Sequence, residues 1–459
     1  MKKTAVHLFV FLLLVASSIS AQTNPAITKW LQNTTIKGRH YVAGNSTPIQ
    51  DAFLANVQSV KYSATNVYIN CTGIPTYIIG PYQDRNPNQG GDNANLYRFP
   101  LAPIENTGTP TATGGGTIGV FINGVSLFDY RDGVSYNLAL GINQGGPGGG
   151  MGDGVWNRDA VVAERAGFDC AKGHPAMTNY HHHQNPSAFK LDKVVLSTVC
   201  DLYAADGLYV IDSTKHAPLL GFAYDGFPIY GAYGYKNANG TGGIVRLKSS
   251  FSLRAISVRT HYENMNGVTG LVDVTDGPAV NATYPLGLYR EDYKYTSTTA
   301  ATPDFLDAHN GRFCVTPEYP NGTYCYFSTV DVNHVSTYPY VVGPTYFGVS
   351  ANRRVNAINE TVTTYSATTP VLNVPEKGLD VAIYPNPSNE FLAIQAPQAE
   401  NFDRKVALIS LEGKVLQTTI LFQGSTICYF DIRAIYAGIY LVKVSAGNSL
   451  KTTKVVIGN

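Results

Sequence analysis

The stretch "GHPAMTNYHHHQNP", residues 173–186, carries four of the chain's ten histidines: His174, His181, His182 and His183. His181 and His183 are two positions apart, so on an extended strand they project from one face and His182 from the other. A His-x-His pair presents two imidazoles to one metal, leaving the remaining positions to a more distant residue and water. Imidazole suits zinc, copper, iron and nickel alike. The spacing therefore points to a transition metal, with copper or zinc as the candidate cofactor. Gly173-His174-Pro175 forms a turn, and the six residues that follow return the chain to His181. His174 can then serve as a third ligand or as a general base. The competing reading is a polar turn whose histidines satisfy their own hydrogen bonds.

Two later segments carry further candidates. "LLGFAYDGFPIYGAYGY" (219–235) sets Asp225 in an Asp-Gly turn among aromatics, where a carboxylate has either a raised pKa or a cationic partner. The same dipeptide is also an ordinary hairpin turn. "LDAHNGRFCVTPEYPNGTYCYF" (306–327) offers Asp307, His309, Arg312 and Glu318. His309 is a candidate additional metal ligand, and Asp225 or Glu318 would assist His174 or His181 as a general base. Tyr180, Tyr224, Tyr230 and Arg312 are the candidate substrate contacts. Arg312 and Glu318 could equally form a plain strand-to-strand ion pair.

These residues must be positioned by strands. The chain has 459 residues, enough for at least two folded units, and only 14% are charged, with 45 Gly and 31 Tyr. Such a balance suits β structure and not long amphipathic helices. A formal net charge of +1 without a basic or acidic block gives no reason to expect nucleic-acid binding. The opening "MKKTAVHLFVFLLLVASSISAQ" reads as a secretory signal peptide over 1–21, with an apolar core too short for a bilayer span, and no later segment is long enough for a transmembrane helix.

Six scattered cysteines in an exported chain make disulfides possible, with Cys170–Cys200 the first pair to test. A two-residue turn at Asn321-Gly322 would pair Cys325 with Glu318 and Cys314 with Thr329, too far apart to bond.

Residues 22–59 form a mixed N-terminal segment with a short helix or arm, and from about 60 to 350 runs such as "NVYIN", "TYIIG" and "GTIGVFING" read as strands. "NQGGPGGGMGDGVWNRDA" (143–160) reads as a glycine loop or flap, since it lacks the ending of a phosphate-binding loop. Residues 351–377 are polar and Thr-rich, as in a linker. Residues 378–459 carry about seven short strands, suggesting a small immunoglobulin-like sandwich.

Two resemblances follow from these motifs. "IYPNPSNEFLAI", "LISLEGKVL", "AGIYLVKV" and "TTKVVI" resemble the C-terminal sorting domain of the type IX (Por) secretion system of Bacteroidetes. That implies handling by the type IX machinery and delivery to the medium or the outer-membrane surface. The histidine stretch, the Asp225 segment and the 306–348 segment, together with "GIPTYIIGPYQDRNPN" and "IGVFINGVSLFD", resemble the YHYH-domain family of exported bacterial proteins. The signature here is Tyr180-His181-His182-His183, with histidine where the family name has its second tyrosine. The resemblance names a domain and supplies no reaction. Three functions remain open: a metal site, catalytic or not; a cell-surface module that binds a glycan or protein and whose histidines are structural; and a metal-free hydrolase of an unknown extracellular substrate.

Overall fold

The computed structural model describes residues 24–45, 47–82, 84, 86–146, 149–186, 212–263, 271–273, 276–297, 301–366, 379–411, 413–446 and 449–458. The signal peptide over 1–21 and Cys200 lie outside the described residues. The chain divides into two compact units, Met1–Tyr365 and Ser366–Asn459. Among the described residues no helix is long and apolar enough to cross a membrane.

The first unit is built on a four-stranded and an eight-stranded sheet. Strands Val57–Tyr62, Asn66–Cys71 and Asn95–Pro100 form an antiparallel meander, and Thr363–Tyr365 pairs with the edge of the first. The linker expected to begin at 351 is therefore partly a strand of this unit: Arg354 also bridges to Tyr97, so polar composition marked an exposed edge strand there. "TYIIG" (76–80) forms no strand either. Its Ile79 makes only an isolated bridge to His40, and its apolar side chains are buried in the core. The glycine loop contributes Ile142–Gly145 and Asn157–Asp159 to a three-stranded sheet with Arg131–Asn137.

The eight-stranded sheet is made of β1 (Thr117–Phe121), β2 (Ser126–Phe128), β3 (Gly173–Ala176), β4 (Asn179–His182), β5 (Leu219–Ala223), β6 (Pro228–Tyr230), β7 (Gly311–Cys314) and β8 (Thr323–Phe327), in the order β3-β4-β2-β1-β5-β6-β8-β7. Hairpin turns make most neighbours antiparallel, while β4 runs parallel to β2, and β6 parallel to β8. One face of this sheet shares a core with the four-stranded sheet. Trp30 lies 5.7 Å from Phe99 and 5.3 Å from Phe222, ring centre to ring centre, stitching the two layers together. The N-terminal segment supplies Trp30 from just beyond the short helix Pro25–Thr28.

The β7–β8 register differs from the one a tight Asn321-Gly322 turn predicts. Cys314 pairs with Thr323 and Arg312 with Cys325, because the connection is an eight-residue loop (315–322) closed by Thr316–Tyr319 hydrogen bonds. Cys314 and Cys325 are free and buried, as are Cys71 and Cys428, whereas Cys170 is disulfide-bonded.

The second unit has β9 (Ala382–Tyr384), β10 (Phe391–Gln395), β11 (Arg404–Ser410), β12 (Val415–Leu421), β13 (Ile427–Asp431), β14 (Gly438–Ala446) and β15 (Ser449–Ile457). They form a three-stranded sheet, β9-β10-β13, and a four-stranded sheet, β12-β11-β14-β15. Leu392, Ile394, Val406, Leu408, Phe430 and Val442 fill the core that they share. Alternating burial on β11 and β14 is the period of a strand with one wet face.

Candidate metal centre

In the antiparallel β3–β4 hairpin, His174 sits directly opposite His181. Cross-strand partners share a face, and His183 shares it with His181 across one residue. Three imidazoles thus converge, with one candidate ligand atom from each lying within 4.8 Å of the others. Nε2 of His183 is 3.1 Å from Nε2 of His181 and 3.3 Å from Nε2 of His174. All three residues are nearly closed to solvent, at 7%, 2% and 4% exposure for His174, His181 and His183.

Main-chain carbonyls orient two of the rings. The Nδ1–H of His181 donates to the Asn179 carbonyl at 2.9 Å, and that of His183 donates to the Asp129 carbonyl at 2.6 Å. A carbonyl only accepts, so Nδ1 carries the proton and, in the neutral ring, the Nε2 lone pair faces the centre. Phe128 stacks on His181 at 3.8 Å, and Phe168 meets His174 edge-on at 4.9 Å.

Electrostatics favour the neutral form of two of the three rings. Burial pulls His174 down to about 4, with the charge of His183 adding to the effect, and it holds His181 well below the ordinary imidazole value. His183 differs: burial opposes its charge, but the neighbouring Glu164 and the Asp129 carbonyl outweigh that and raise it. Glu164, lying just after the short helix Ala160–Ala163, places Oε2 3.3 Å from Nε2 of both His174 and His183. It is the residue that sequence reasoning missed. Its only local signal is Asp159 capping the helix that carries it toward the histidine face.

The even-numbered residues of the signature point into the core. His182 is fully buried, its Nε2 is 2.9 Å from the Tyr77 hydroxyl, and Phe121 meets it edge-on. Tyr180 donates its hydroxyl to Asp169 at 2.8 Å, and the same carboxylate accepts Gly80, Ala171 and Gly173 N–H groups. Tyr180 therefore pins the hairpin and is closed to substrate.

The other candidates lie elsewhere. His309 bonds through Nδ1 to Thr345 and packs on Phe347, outside the histidine group. Asp225 sits in the β5–β6 turn, three strand spacings or roughly 14 Å along the sheet from β4. Its carboxylate accepts Phe227 N–H, Gly348 N–H and the Tyr326 hydroxyl, so it braces a turn in which Gly226 has φ +94°. Glu318 takes the Tyr230 hydroxyl at 3.0 Å and pairs with Lys29 at 3.1 Å instead of Arg312. Arg312 donates to the carbonyls of Tyr235, Lys236 and Pro303. Tyr230 is fully buried and Tyr224 nearly so, which leaves no exposed tyrosine platform at these positions.

Beside the histidines lies a cavity of about 380 Å³, whose lining includes Phe168, Lys172, Gln184, Tyr293, Tyr338 and Tyr340. Phe168 is the wall it shares with His174.

The family model described as YHYH protein matches residues 96–339, more than half of the chain and all of this centre. The chain belongs to the YHYH family. A second model, the secretion system C-terminal sorting domain, matches residues 382–458. No curated protein matches the chain. The matched part of the YHYH domain runs from the strand Asn95–Pro100 to Pro339, inside the 60–350 span read from the motifs. The sorting domain coincides with the seven strands β9 to β15. This YHYH protein is accordingly a type IX cargo, exported to the cell surface or the medium.

Proposed function

We propose that this exported YHYH protein binds one transition-metal ion through Nε2 of His174, His181 and His183. The observation that carries the reading is the set of three inward Nε2 atoms, two pairs of which are 3.1 and 3.3 Å apart. A tetrahedral ion with nitrogen ligands at its usual 2.0–2.1 Å sets ligand atoms about 3.3–3.4 Å apart. Lone pairs that close repel unless a cation, metal or proton, lies between them. Carbonyl-fixed tautomers and near-complete burial are the usual setting of such a centre. Copper and zinc both fit imidazole donors.

Metal analysis of the chain purified without a histidine tag tests the reading. One equivalent of copper or zinc is expected, lost in His181→Ala and His183→Ala; stoichiometric metal that survives both substitutions rejects it.

A second reading, binding of a small extracellular ligand, is favoured by the aromatic cavity beside Phe168. Its size falls in the range of small-molecule sites. Ligand binding that persists after chelation and in His181→Ala would separate it from the metal reading.

A further inference from the structure

We propose that Glu164 is the fourth ligand of this centre, making it a His3Glu site selective for a divalent ion. The inference rests on the metal reading above.

Three observations converge on Glu164. Its Oε2 lies 3.3 Å from Nε2 of His174 and 3.3 Å from Nε2 of His183, the same spacing as between those two nitrogens. Those two distances match the edge of about 3.3–3.4 Å expected around a tetrahedral ion with ligands at its usual distances; the edge to His181 is longer, since the group whose donor atoms all lie within 4.8 Å of one another holds the three histidines alone. Oε2 is also buried, and among the described residues no donor is well aligned on it, although both imidazoles stand at ion-pair distance. A carboxylate oxygen withdrawn from water is costly unless a cation, an imidazolium or a metal ion, meets it.

The backbone delivers this oxygen with little freedom. Asp159 caps the helix through Val161 N–H, Ala160 N–H bonds to the Tyr130 carbonyl, and Glu164 N–H bonds back to Ala160. The carbonyl of Glu164 then accepts Gly167 N–H. Tyr130 adjoins Asp129, whose carbonyl orients His183, so one short segment fixes both the helix and the ring. Such supporting bonds hold a ligand set at its working geometry.

The carboxylate also chooses the ion. Three neutral imidazoles and one carboxylate bring a single negative charge into a buried site, which compensates a divalent ion better than imidazoles alone. A hard oxygen donor, with no thiolate or thioether in the set, disfavours the cuprous ion and favours zinc, cobalt or cupric copper.

Titration of the tag-free, chelator-stripped protein with Co²⁺, Zn²⁺ and Cu⁺ tests this. The wild type should take one Co²⁺ with the intense visible absorption of a four-coordinate ion and should bind Zn²⁺ far more tightly than Cu⁺. In Glu164→Gln, which keeps the shape of the side chain, Zn²⁺ affinity should fall about 10- to 100-fold or more and the Co²⁺ spectrum should change. Glu164→Ala should do the same, with circular dichroism of the stripped variants confirming a folded chain. Unchanged affinity and spectrum in both variants would overturn the role of Glu164 while leaving the three-histidine reading standing. A wild type that binds none of the three ions would overturn both.

Discussion

The Asp129 main-chain carbonyl accepts the Nδ1–H of His183 at 2.6 Å, and this one bond sets which nitrogen of His183 faces His174 and His181. Because the acceptor is main chain, no substitution at 129 removes it directly. The expected sensitivity lies in the rings themselves.

Chelation should destabilise the YHYH domain. A ligand present at 100 times its Kd stabilises the folded state by about 2.7 kcal/mol. Thermal unfolding of the protein as purified, repeated after dialysis against EDTA, is expected to show a lower midpoint, restored by added Zn²⁺ and not restored in His183→Ala.

His182→Ala separates the two faces of the signature. The substitution empties a fully buried position and removes the imidazole from the Tyr77 hydroxyl. A loss of about 2–4 kcal/mol is expected from the cavity. Metal stoichiometry should stay at one equivalent, in contrast to His181→Ala, as urea unfolding and metal analysis of the two variants would show.

Asp225→Ala should act on stability alone. It removes the acceptor for Phe227 N–H, Gly348 N–H and the Tyr326 hydroxyl, leaving buried donors unmet. A cost of about 3 kcal/mol or more is expected at 1–3 kcal/mol for each buried group left unsatisfied. Metal affinity of the folded fraction should match the wild type; a hundredfold loss would place Asp225 at the centre after all.

Asp159 should make stability depend on pH. Burial raises its carboxyl to about 7, against the ordinary 3.8, although Tyr340 and the Val161 N–H favour its charged form. The folded state therefore holds this proton more tightly than the unfolded chain. Its contribution is fully present below about pH 4 and is lost as pH rises through about 7. At 1.36 kcal/mol per pH unit, the gap of roughly 3 units corresponds to as much as about 4 kcal/mol. Asp159→Asn should flatten this slope, gaining on the wild type at pH 8 relative to pH 5 in urea unfolding.

Local pattern determined a good part of this protein. The period of two along a strand separates His181 and His183 from His182, because adjacent side chains on extended backbone must point opposite ways. The same period makes the sorting domain legible as seven strands, since each carries its core and solvent faces in its own few residues. Aromatic and glycine content announced β structure for the same reason. Tertiary structure decided the rest. His174 joins the centre because the β3–β4 register sets it opposite His181, and a different turn would have moved it away. Glu164 arrives from a helix tied to Tyr130, a relation between segments that no local spacing encodes. Asp225, His309 and Glu318 looked similar in kind, acids and a histidine among aromatics, yet the strand order put them in other parts of the sheet. Which residues share a face is a property of one strand; which strands share a site is settled only when the sheet is assembled.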